Sequence, residues 1–237
     1  IIHTGQHYSY NLDGVFFEEL NLPIPRYNLD VGSHVYGKQM SLIINGLEEK
    51  LKQEKPDVVL VEGDTNSVLA GALAAHKLGI KIGHVEAGLR SYSIIIEEIN
   101  RVLTGLYADY HFAPTEIAKN NLLKENIHES KIFVTGNTIV DALNENIKIS
   151  NNKYKNSSYK DLKDYILVTA HRPETVDNKE CLENVLEGLD LVSKELDKKI
   201  IFPVHPRTKV KINEFNLKIS KNIASIEPLS YLNFLQL

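Results

Sequence analysis

Cysteine is nearly absent from this sequence, which contains only Cys181. A single thiol excludes an internal disulfide framework and is typical of proteins from a reducing compartment, so we expect a cytoplasmic location. Long apolar runs are also missing, because none approaches the ~20 residues that a membrane-spanning helix requires. The N-terminus lacks the basic region and apolar core of a signal peptide. The sequence therefore predicts no association with a membrane.

A large excess of charge of either sign is lacking as well. The formal net charge is −4, and no run of lysine or arginine forms a concentrated basic patch. These features argue against binding to nucleic acid. What the chain does have is 43% apolar and 24% charged residues over a length of 237, which is typical of a globular protein with one large domain or two small ones.

Several motifs that hold nucleotides or metals are missing. There is no Gly-x-Gly-x-x-Gly fingerprint, no phosphate loop with Gly-Lys-Ser or Gly-Lys-Thr, and no His-Glu-x-x-His arrangement among the nine histidines. Their absence disfavours NAD-dependent enzymes, nucleoside triphosphatases and zinc enzymes. Cys181 lies in a predicted helix, which disfavours thiol catalysis. The sequence therefore predicts no metal site.

Short β-rich apolar runs alternate with helical patterns along almost the whole chain. This alternation predicts an α/β fold with parallel sheets covered by helices on both faces. One predicted helix carries an apolar stripe with helical spacing, formed by Met40, Ile43, Ile44, Leu47 and Leu51. Other helices are predicted over about residues 65–77, 97–107 and 115–125, and from about residues 178 and 230. Strands are predicted over residues 57–61, 81–85, 109–113, 131–134, 165–169 and 199–204.

A change of composition divides the chain. Residues 148–164 are rich in Asn, Lys, Ser and Tyr and poor in aliphatic side chains, which predicts a linker or surface segment. We therefore expect an N-terminal domain over residues 1–147 and a C-terminal domain over residues 165–237. The chain opens on an apparent strand end without an initiator Met, and its second half has too few strands for a stable sheet of this class. We expect both termini to lie inside domains, with the first strand of the N-terminal domain missing.

Carboxylates follow two of the predicted strands directly. Ligands of open parallel sheets bind outside the carboxyl ends of the strands, which draws attention to Asp64 and Glu86. Asp64 has a structural alternative as the N-cap of the next helix. Glu86 stands between an apolar strand and Ala-Gly, where partial burial and a raised pKa are expected. A third candidate, Glu97 with its neighbour Glu98, begins a helix, where acidic residues also favour the helix dipole.

Histidine and arginine follow two strands of the second half. His171 and Arg172 come after one strand, and His205 and Arg207 come after the next. Two successive strand ends that each deliver both residue types predict a cationic pocket suited to phosphate groups. A satisfied core or surface position is the alternative for either histidine alone.

Together these segments are similar to the non-hydrolysing UDP-N-acetylglucosamine 2-epimerases. The likeness spans essentially the whole chain, and the matching motifs occur in the same order. The motifs are Thr4-Gly5-Gln6-His7, Val61-Glu62-Gly63-Asp64-Thr65, Gly83-His84-Val85-Glu86-Ala87-Gly88-Leu89-Arg90, Glu97-Glu98-Ile99-Asn100-Arg101, Thr135-Gly136-Asn137-Thr138, Thr169-Ala170-His171-Arg172 and Pro203-Val204-His205-Pro206.

The resemblance implies a glycosyltransferase-B type architecture, in which two Rossmann-like domains hold a sugar nucleotide in the cleft between them. It implies interconversion of UDP-GlcNAc and UDP-ManNAc without a redox cofactor, by elimination of UDP to a 2-acetamidoglucal and re-addition. Asp64, Glu86 and Glu97 match the acid/base carboxylates of the family, and His171 is expected near the nucleotide or sugar. UDP-ManNAc generally serves surface polysaccharide synthesis, and the family suggests a homodimer.

The resemblance also implies binding roles. We hypothesise that Arg172, His205 and Arg207 add positive potential around the phosphates or around a second nucleotide site, while Gln6 and His7 match a region that binds an allosteric UDP-GlcNAc in some relatives. The chain departs from the family in lacking an N-terminal Gly-Thr-Arg-Pro-Glu segment and a C-terminal Asp-Ser-Gly-Gly loop, so we expect it to bind UDP poorly as given. The stretch before Glu97 is short and apolar and lacks the usual Pro, which makes the position of Glu97 less well defined.

Three other functions fit the same residues. A hydrolysing relative would release free ManNAc and UDP. A glycosyltransferase of the same fold would need an acceptor and would not exchange the C2 proton with solvent. A non-catalytic sugar-nucleotide-binding protein would tolerate loss of the carboxylates.

Overall fold

The computed structural model of this chain describes residues 1–5, 14–154 and 162–237, which form two compact units. The first unit comprises Ile1–Ala142 and the second Leu143–Leu237. The division therefore falls earlier than the domain end expected at residue 147. Both units consist of parallel strands that alternate with helices, which confirms the α/β fold class.

The first unit contains a four-stranded parallel sheet in the order β3-β4-β5-β6 and a separate two-stranded parallel sheet, β1-β2. The strands are β1 (Ile2–His3), β2 (Tyr27–Asn28), β3 (Val58–Glu62), β4 (Lys81–Val85), β5 (Tyr110–Ala113) and β6 (Ile132–Val134). The helices are α1 (Gly14–Glu19), α2 (Tyr36–Glu54), α3 (Asn66–Lys77), α4 (Ile96–Tyr107), α5 (Glu116–Lys124) and the start of α6 (Thr138–Lys153). The predicted elements of this half are confirmed to within one or two residues at each end.

The predicted apolar stripe of α2 forms a large part of the core of the first unit. Ile43 is fully buried and packs in one cluster with Val61 of β3 and Ile82 of β4. Helix α3 contributes Leu69 and a series of buried alanines to the same cluster. Small alanine side chains let α3 lie close to its neighbours, so the turn that precedes it is held firmly against the sheet.

An open groove with a volume of about 500 Å³ lies between β1 and the outer edge of β3. Leu47 and Leu51 of α2 and Val68 of α3 line it, together with residues of both strands. Leu60 of β3 is 66% exposed. Among the strands that the structure describes, none pairs with β3 on this side. Glu62, at the end of β3, also lines the groove.

The second unit contains a three-stranded parallel sheet in the order β7-β8-β9. Its strands are β7 (Tyr165–Leu167), β8 (Lys199–Pro203) and β9 (Ile223–Ile226), and its helices are α7 (Pro173–Val176), α8 (Lys179–Leu196), α9 (Pro206–Glu214) and α10 (Tyr231–Phe234). Asn178 caps α8 by accepting a hydrogen bond from the backbone N–H of Cys181 at 3.1 Å. Leu182, Leu186 and Phe202 are buried in the core of this unit.

The predicted surface segment 148–164 is helical at its start, because α6 continues to Lys153. The buried positions of α6 include Asn146 and Ser150. The Ser150 hydroxyl donates to the backbone carbonyl of Leu232 at 2.6 Å. Asn146 and Ser150 thus take buried positions that aliphatic side chains take in other helices, while Ile139, Leu143 and Ile147 lie exposed at helical spacing. Residues 155–161 lie outside the described part of the chain. None of the described helices has the length and apolarity needed to cross a membrane.

Acidification is expected to destabilise the first unit through His111. This imidazole is fully buried on β5 beside His84 of β4, and burial, with the nearby His84 and the charge of Lys131 adding to it, lowers the pKa of His111 to about 4. The unfolded chain binds the proton near pH 6.5, so stability is full above that value and falls as the pH drops toward 4. The loss should approach roughly 3 kcal/mol at pH 4.

Urea unfolding followed by circular dichroism at a series of pH values measures this effect. His111→Leu should reduce the pH dependence between pH 6.5 and 4 and leave the part due to His84, whose pKa burial also lowers, whereas the exposed control His34→Leu should retain the full dependence. An unchanged slope in His111→Leu would show that another group is responsible.

Candidate active site

The candidate site of the first unit lies at the carboxyl ends of β3 and β4, which pair in parallel with Glu62 opposite Val85. The backbone N–H of Gly63 donates to the Val85 carbonyl at 3.1 Å and keeps the two chains aligned just beyond β3. Asp64 and Glu86 follow immediately. Parallel register alone therefore brings the two predicted carboxylates to one edge of the sheet.

Asp64 is held by a cation from a distant part of the sequence. The guanidinium of Arg101, on α4, donates to the Asp64 carboxylate in a short contact and to Glu98 at 2.7 Å. The N-cap residue of α3 is Thr65, so the capping alternative for Asp64 does not hold. Because both partners are largely shielded from solvent, the ion pair fixes the position of the carboxylate.

Polar side chains also hold the backbone around Asp64. The amide of Asn100, which is 2% exposed, donates to the Asp64 carbonyl at 3.0 Å and to the Asn66 side chain at 3.1 Å. Asn66 in turn donates to Gln39 of α2 at 2.8 Å. On the other side, Nε2 of buried His84 lies 2.8 Å from the carbonyl oxygen of Gly63. Since a carbonyl can only accept, Nε2 carries the proton.

Glu86 occupies a strained backbone conformation. Its φ of +62° lies in the left-handed region, which costs a residue other than glycine about 1 kcal/mol and is concentrated at functional sites. Burial, followed by the negative charges of Glu62 and Asp64, raises the pKa of the Glu86 carboxyl above its usual range, while Arg101 opposes the change. The expected partial burial and raised pKa of Glu86 are therefore confirmed.

Tight packing after Glu86 maintains this conformation. A Cβ atom on Gly88 would lie 2.3 Å from the backbone oxygen of Ala118 on α5, and the Asn121 amide donates to the Gly88 carbonyl at 3.0 Å. The side chain of Arg90 is only 2% exposed and donates two hydrogen bonds of 2.6 Å to the Glu125 carboxylate. The chain that leaves Glu86 is thus fastened to α5 by both backbone and side-chain contacts.

The two acidic residues at the start of α4 differ in their exposure to solvent. Glu97 is exposed, and among the described residues it forms no hydrogen bond or ion pair with Asp64 or Glu86. Glu98 is buried, accepts from the backbone N–H and hydroxyl of Ser91 at 3.0 Å each, and pairs with Arg101. Burial acts to raise the pKa of Glu98, but the Ser91 hydrogen bonds and the Arg101 charge outweigh it, so the pKa is lowered. Glu98 therefore positions Arg101.

The second unit brings its two predicted histidines together. The rings of His171 and His205 lie 5.3 Å apart at an angle of 31°. The hydroxyl of buried Thr208 on α9 donates to the Ala170 carbonyl at 2.6 Å, which ties the start of α9 to the segment after β7. Nδ1 of His205 accepts the backbone N–H of Arg207 and caps α9, so its proton lies on Nε2.

The two predicted arginines differ in their surroundings. Arg172 is exposed at the N-cap of α7. Arg207 makes a bidentate ion pair with Asp177, and this pair lowers the pKa of Asp177. The positive charge expected from Arg207 is therefore largely neutralised by Asp177, whereas Arg172 is exposed and the two histidines contribute ring nitrogens. Gln6 and His7 lie outside the described residues.

Sequence reasoning missed the residues that hold the carboxylates. Arg101, Asn100 and His84 all lie within motifs shared with the family. A pairing of Arg101 with one of the acids at the start of its own helix is expected from the sequence, but only the folded chain reveals its contact with Asp64. A polar residue at a buried strand position, such as His84, was the one usable signal. Within residues 1–5, 14–154 and 162–237, no group of three His, Cys, Asp or Glu side chains has the geometry of a metal site.

Comparison with known proteins identifies relatives over the whole chain. The sequence profile of the family described as UDP-N-acetylglucosamine 2-epimerase matches residues 1–237. The chain is 56% identical over 247 aligned residues to the UDP-N-acetylglucosamine 2-epimerase of Methanocaldococcus jannaschii, an alignment that covers 100% of this chain and 67% of the relative. It thus spans about two thirds of the length of that relative.

Comparison with solved structures identifies members of the same family. The crystal structure of the Methanocaldococcus jannaschii UDP-GlcNAc 2-epimerase in complex with UDP-GlcNAc and UDP superposes with a TM-score of 0.83 at 56% identity, over 99% of this chain and 67% of that one. The Neisseria meningitidis UDP-GlcNAc 2-epimerase bound to UDP-GlcNAc gives a TM-score of 0.80 at 33% identity, over 98% and 65% of the two chains.

The packing of Gly88 generates a stability prediction. Gly88→Ala should destabilise the first unit by about 2–4 kcal/mol, because the new methyl group meets the Ala118 carbonyl and the backbone has a φ of +81°. Gly79→Ala is the matched control, since Gly79 also has a positive φ of +72° but no atom within 4 Å of the place that its new methyl group would take. Its cost should be about 1 kcal/mol. Equal losses in urea unfolding would contradict this account of the turn.

Proposed function

The chain belongs to the UDP-N-acetylglucosamine 2-epimerase family, and we propose that it interconverts UDP-GlcNAc and UDP-ManNAc. The observation that supports this most strongly is the arrangement at the ends of β3 and β4. There Asp64 is fixed by Arg101, and Glu86 stands close by with a raised pKa. A reaction that moves a proton to and from carbon needs acid/base groups of this kind.

The proposed reaction begins with removal of the proton on C2 of the sugar. The proton moves to a base on the protein, the C2–H electrons form the C1–C2 double bond, and the C1–O bond breaks so that its electrons leave with UDP. Delivery of a proton to the opposite face of C2, with return of UDP to C1, gives the epimer. Two positioned carboxylates, Asp64 and Glu86, provide groups that accept and donate the two protons.

The departing UDP carries negative charge that needs stabilisation. We assign this role to the second unit, where Arg172, His171 and His205 present donors at neighbouring strand ends. Cationic and polar donors aimed at a leaving group stabilise the charge that develops on it. Arg207, paired with Asp177, positions the start of α9 in this scheme.

We propose the non-hydrolysing outcome, in which UDP returns to the intermediate before water does. Glu97 stays a proposed acid/base group because of its place in the family motif, although its side chain is exposed. An allosteric UDP-GlcNAc site that includes Gln6 and His7 also stays a prediction. A cytoplasmic location is part of the proposal, and its support is the single, exposed cysteine, Cys181.

The full-length protein incubated with UDP-GlcNAc should yield UDP-ManNAc without free ManNAc, as followed by proton NMR. Asp64→Asn and Glu86→Gln should each lower kcat by at least about a hundredfold, because each removes a group that transfers protons. Glu183→Gln, on the exposed face of α8, is the matched control and should retain activity.

The outcomes separate the alternatives. Accumulation of free ManNAc would indicate a hydrolysing enzyme. Binding of UDP-GlcNAc without turnover, unaffected by either carboxylate substitution, would indicate a non-catalytic binding protein.

We further propose that the protein is a homodimer. Helix α4 exposes an apolar stripe with helical spacing, formed by Ile96, Ile99, Leu103 and Leu106, and Leu106 is 66% exposed. A contiguous apolar face of this kind is typical of a protein interface. Leu106→Glu should shift the protein from dimer to monomer in analytical ultracentrifugation, whereas Leu191→Glu, which alters an apolar residue of α8 that is 60% exposed, should not. A monomeric unsubstituted protein would refute the proposal.

A further inference from the structure

Two buried side chains from different elements hold consecutive backbone carbonyls at Asp64. Nε2 of His84, on β4, lies 2.8 Å from the carbonyl oxygen of Gly63. The amide of Asn100, on α4, donates to the carbonyl of Asp64 itself at 3.0 Å. His84 is 1% exposed and Asn100 is 2% exposed. The bend between β3 and α3 is therefore held by two donors that solvent does not reach.

These two carbonyls belong to the two peptide planes that flank the Cα atom of Asp64. The Gly63 carbonyl lies in the plane before this atom, and the Asp64 carbonyl lies in the plane after it. Because each peptide unit is rigid, a donor on each carbonyl restricts both soft dihedral angles of Asp64, φ and ψ. These angles set the direction of the Cα–Cβ bond. The two donors therefore determine the direction in which the Asp64 side chain leaves the backbone.

Both donors are themselves restricted. The second hydrogen of the Asn100 amide is bound to Oδ1 of Asn66 at 3.1 Å, and the Asn66 amide donates onward to Gln39 at 2.8 Å. The ring of His84 carries its proton on Nε2, and its Nδ1 has no hydrogen-bond partner among the described residues. Rotation of either side chain would leave a buried carbonyl without a donor, which is unfavourable.

Arg101 acts on the same side chain at its other end. Its guanidinium holds the Asp64 carboxylate, while His84 and Asn100 hold the backbone from which that side chain starts. Arg101 and Asn100 are adjacent residues of α4, so one helix contacts Asp64 at both its carbonyl and its carboxylate. Such precision matters for proton transfer, since a misplacement of about 1 Å is able to cost about a hundredfold in rate.

We propose that His84 and Asn100 are positioning residues of the reaction, which hold the carbonyls of Gly63 and Asp64 so that the Asp64 carboxylate faces the proton on C2. This inference rests on the proposed function, because proton transfer by Asp64 is what makes its direction important. Both residues act on the substrate only through Asp64. Their loss should therefore slow the chemical step and leave binding of the UDP-sugar intact.

Kinetics of the full-length protein test each donor separately. Asn100→Leu keeps a branched side chain of similar size that cannot donate, so kcat should fall by about tenfold to a hundredfold while KM changes by less than about twofold. His84→Leu should have the same effect. His84→Gln should recover most of the activity, because its amide nitrogen is able to donate to the Gly63 carbonyl. The His84 pair keeps the test decisive if Asn100→Leu does not fold.

Thr104→Val is the matched control for substitutions on α4. Thr104 is fully buried one turn after Asn100, and its hydroxyl has no hydrogen-bond partner in the part of the chain that the structure describes. Its replacement by an isosteric side chain should leave kcat and KM unchanged. A fall in kcat as large as that of Asn100→Leu would show that α4 tolerates no change, and it would overturn the specific role of Asn100.

A double substitution separates positioning from a general loss of structure. If Asn100 acts only through Asp64, Asn100→Leu added to Asp64→Asn should lower kcat no further than Asp64→Asn alone. Three results would overturn the proposal: effects that multiply, a rise in KM in place of the fall in kcat, and equal losses in His84→Gln and His84→Leu.

Crystal structures of the same variants provide a readout that needs no turnover. In Asn100→Leu the Asp64 carboxylate should be displaced, while Arg101 stays paired with Glu98. An Asp64 carboxylate that keeps its place in both Asn100→Leu and His84→Leu would overturn the proposal. If the unsubstituted full-length protein does not epimerise UDP-GlcNAc, the proposed function fails, and the displacement of Asp64 alone decides whether the two donors position it.

Discussion

The parallel pairing of β3 with β4 is the constraint on which the candidate site depends. Glu62 stands opposite Val85, and the Gly63 N–H extends the ladder by one more hydrogen bond to the Val85 carbonyl. Asp64 and Glu86 leave the sheet just after these residues, whereas Glu97 and Glu98 come from α4. A slip of one strand by one residue would turn the side chains of that strand to the other face of the sheet and separate the two carboxylates.

The candidate site contains energetically unfavourable interactions, and contacts with the surrounding protein compensate for their free-energy cost. Glu86 adopts a left-handed backbone conformation, and its carboxyl lies close to other negative charges. The close contact of Gly88 with α5 and the ion pair of the buried Arg90 side chain with Glu125 hold that conformation from one side. On the other side Arg101 neutralises Asp64. Such a balance is typical of active sites, where strain and perturbed ionisation persist because the scaffold leaves no alternative.

Local signals in the sequence predicted strands β3 to β8 and helices α2 to α5, α8 and α10, since burial on a sheet imposes clear apolar patterns. They did not predict β9, α9 or the short elements β2, α1 and α7. Strand ends likewise predicted Asp64 and Glu86. Contacts between distant segments could not be predicted from local sequence. No local pattern indicates that Arg101 contacts Asp64 or that Asp177 neutralises Arg207. The polar second half of α6 was assigned to a surface segment because its buried contacts come from side chains such as Ser150, and its first half was missed although Ile139, Leu143 and Ile147 recur at helical spacing.

The central claim is that the carboxylates at these strand ends exchange the C2 proton of a UDP-sugar with solvent. The most direct measurement is to incubate the full-length protein with UDP-GlcNAc in deuterium oxide and to follow C2 by NMR and mass spectrometry. The account predicts one deuterium at C2 in UDP-ManNAc and, with time, in the recovered UDP-GlcNAc. Conversion of UDP-GlcNAc to products that retain the original hydrogen at C2 would contradict it.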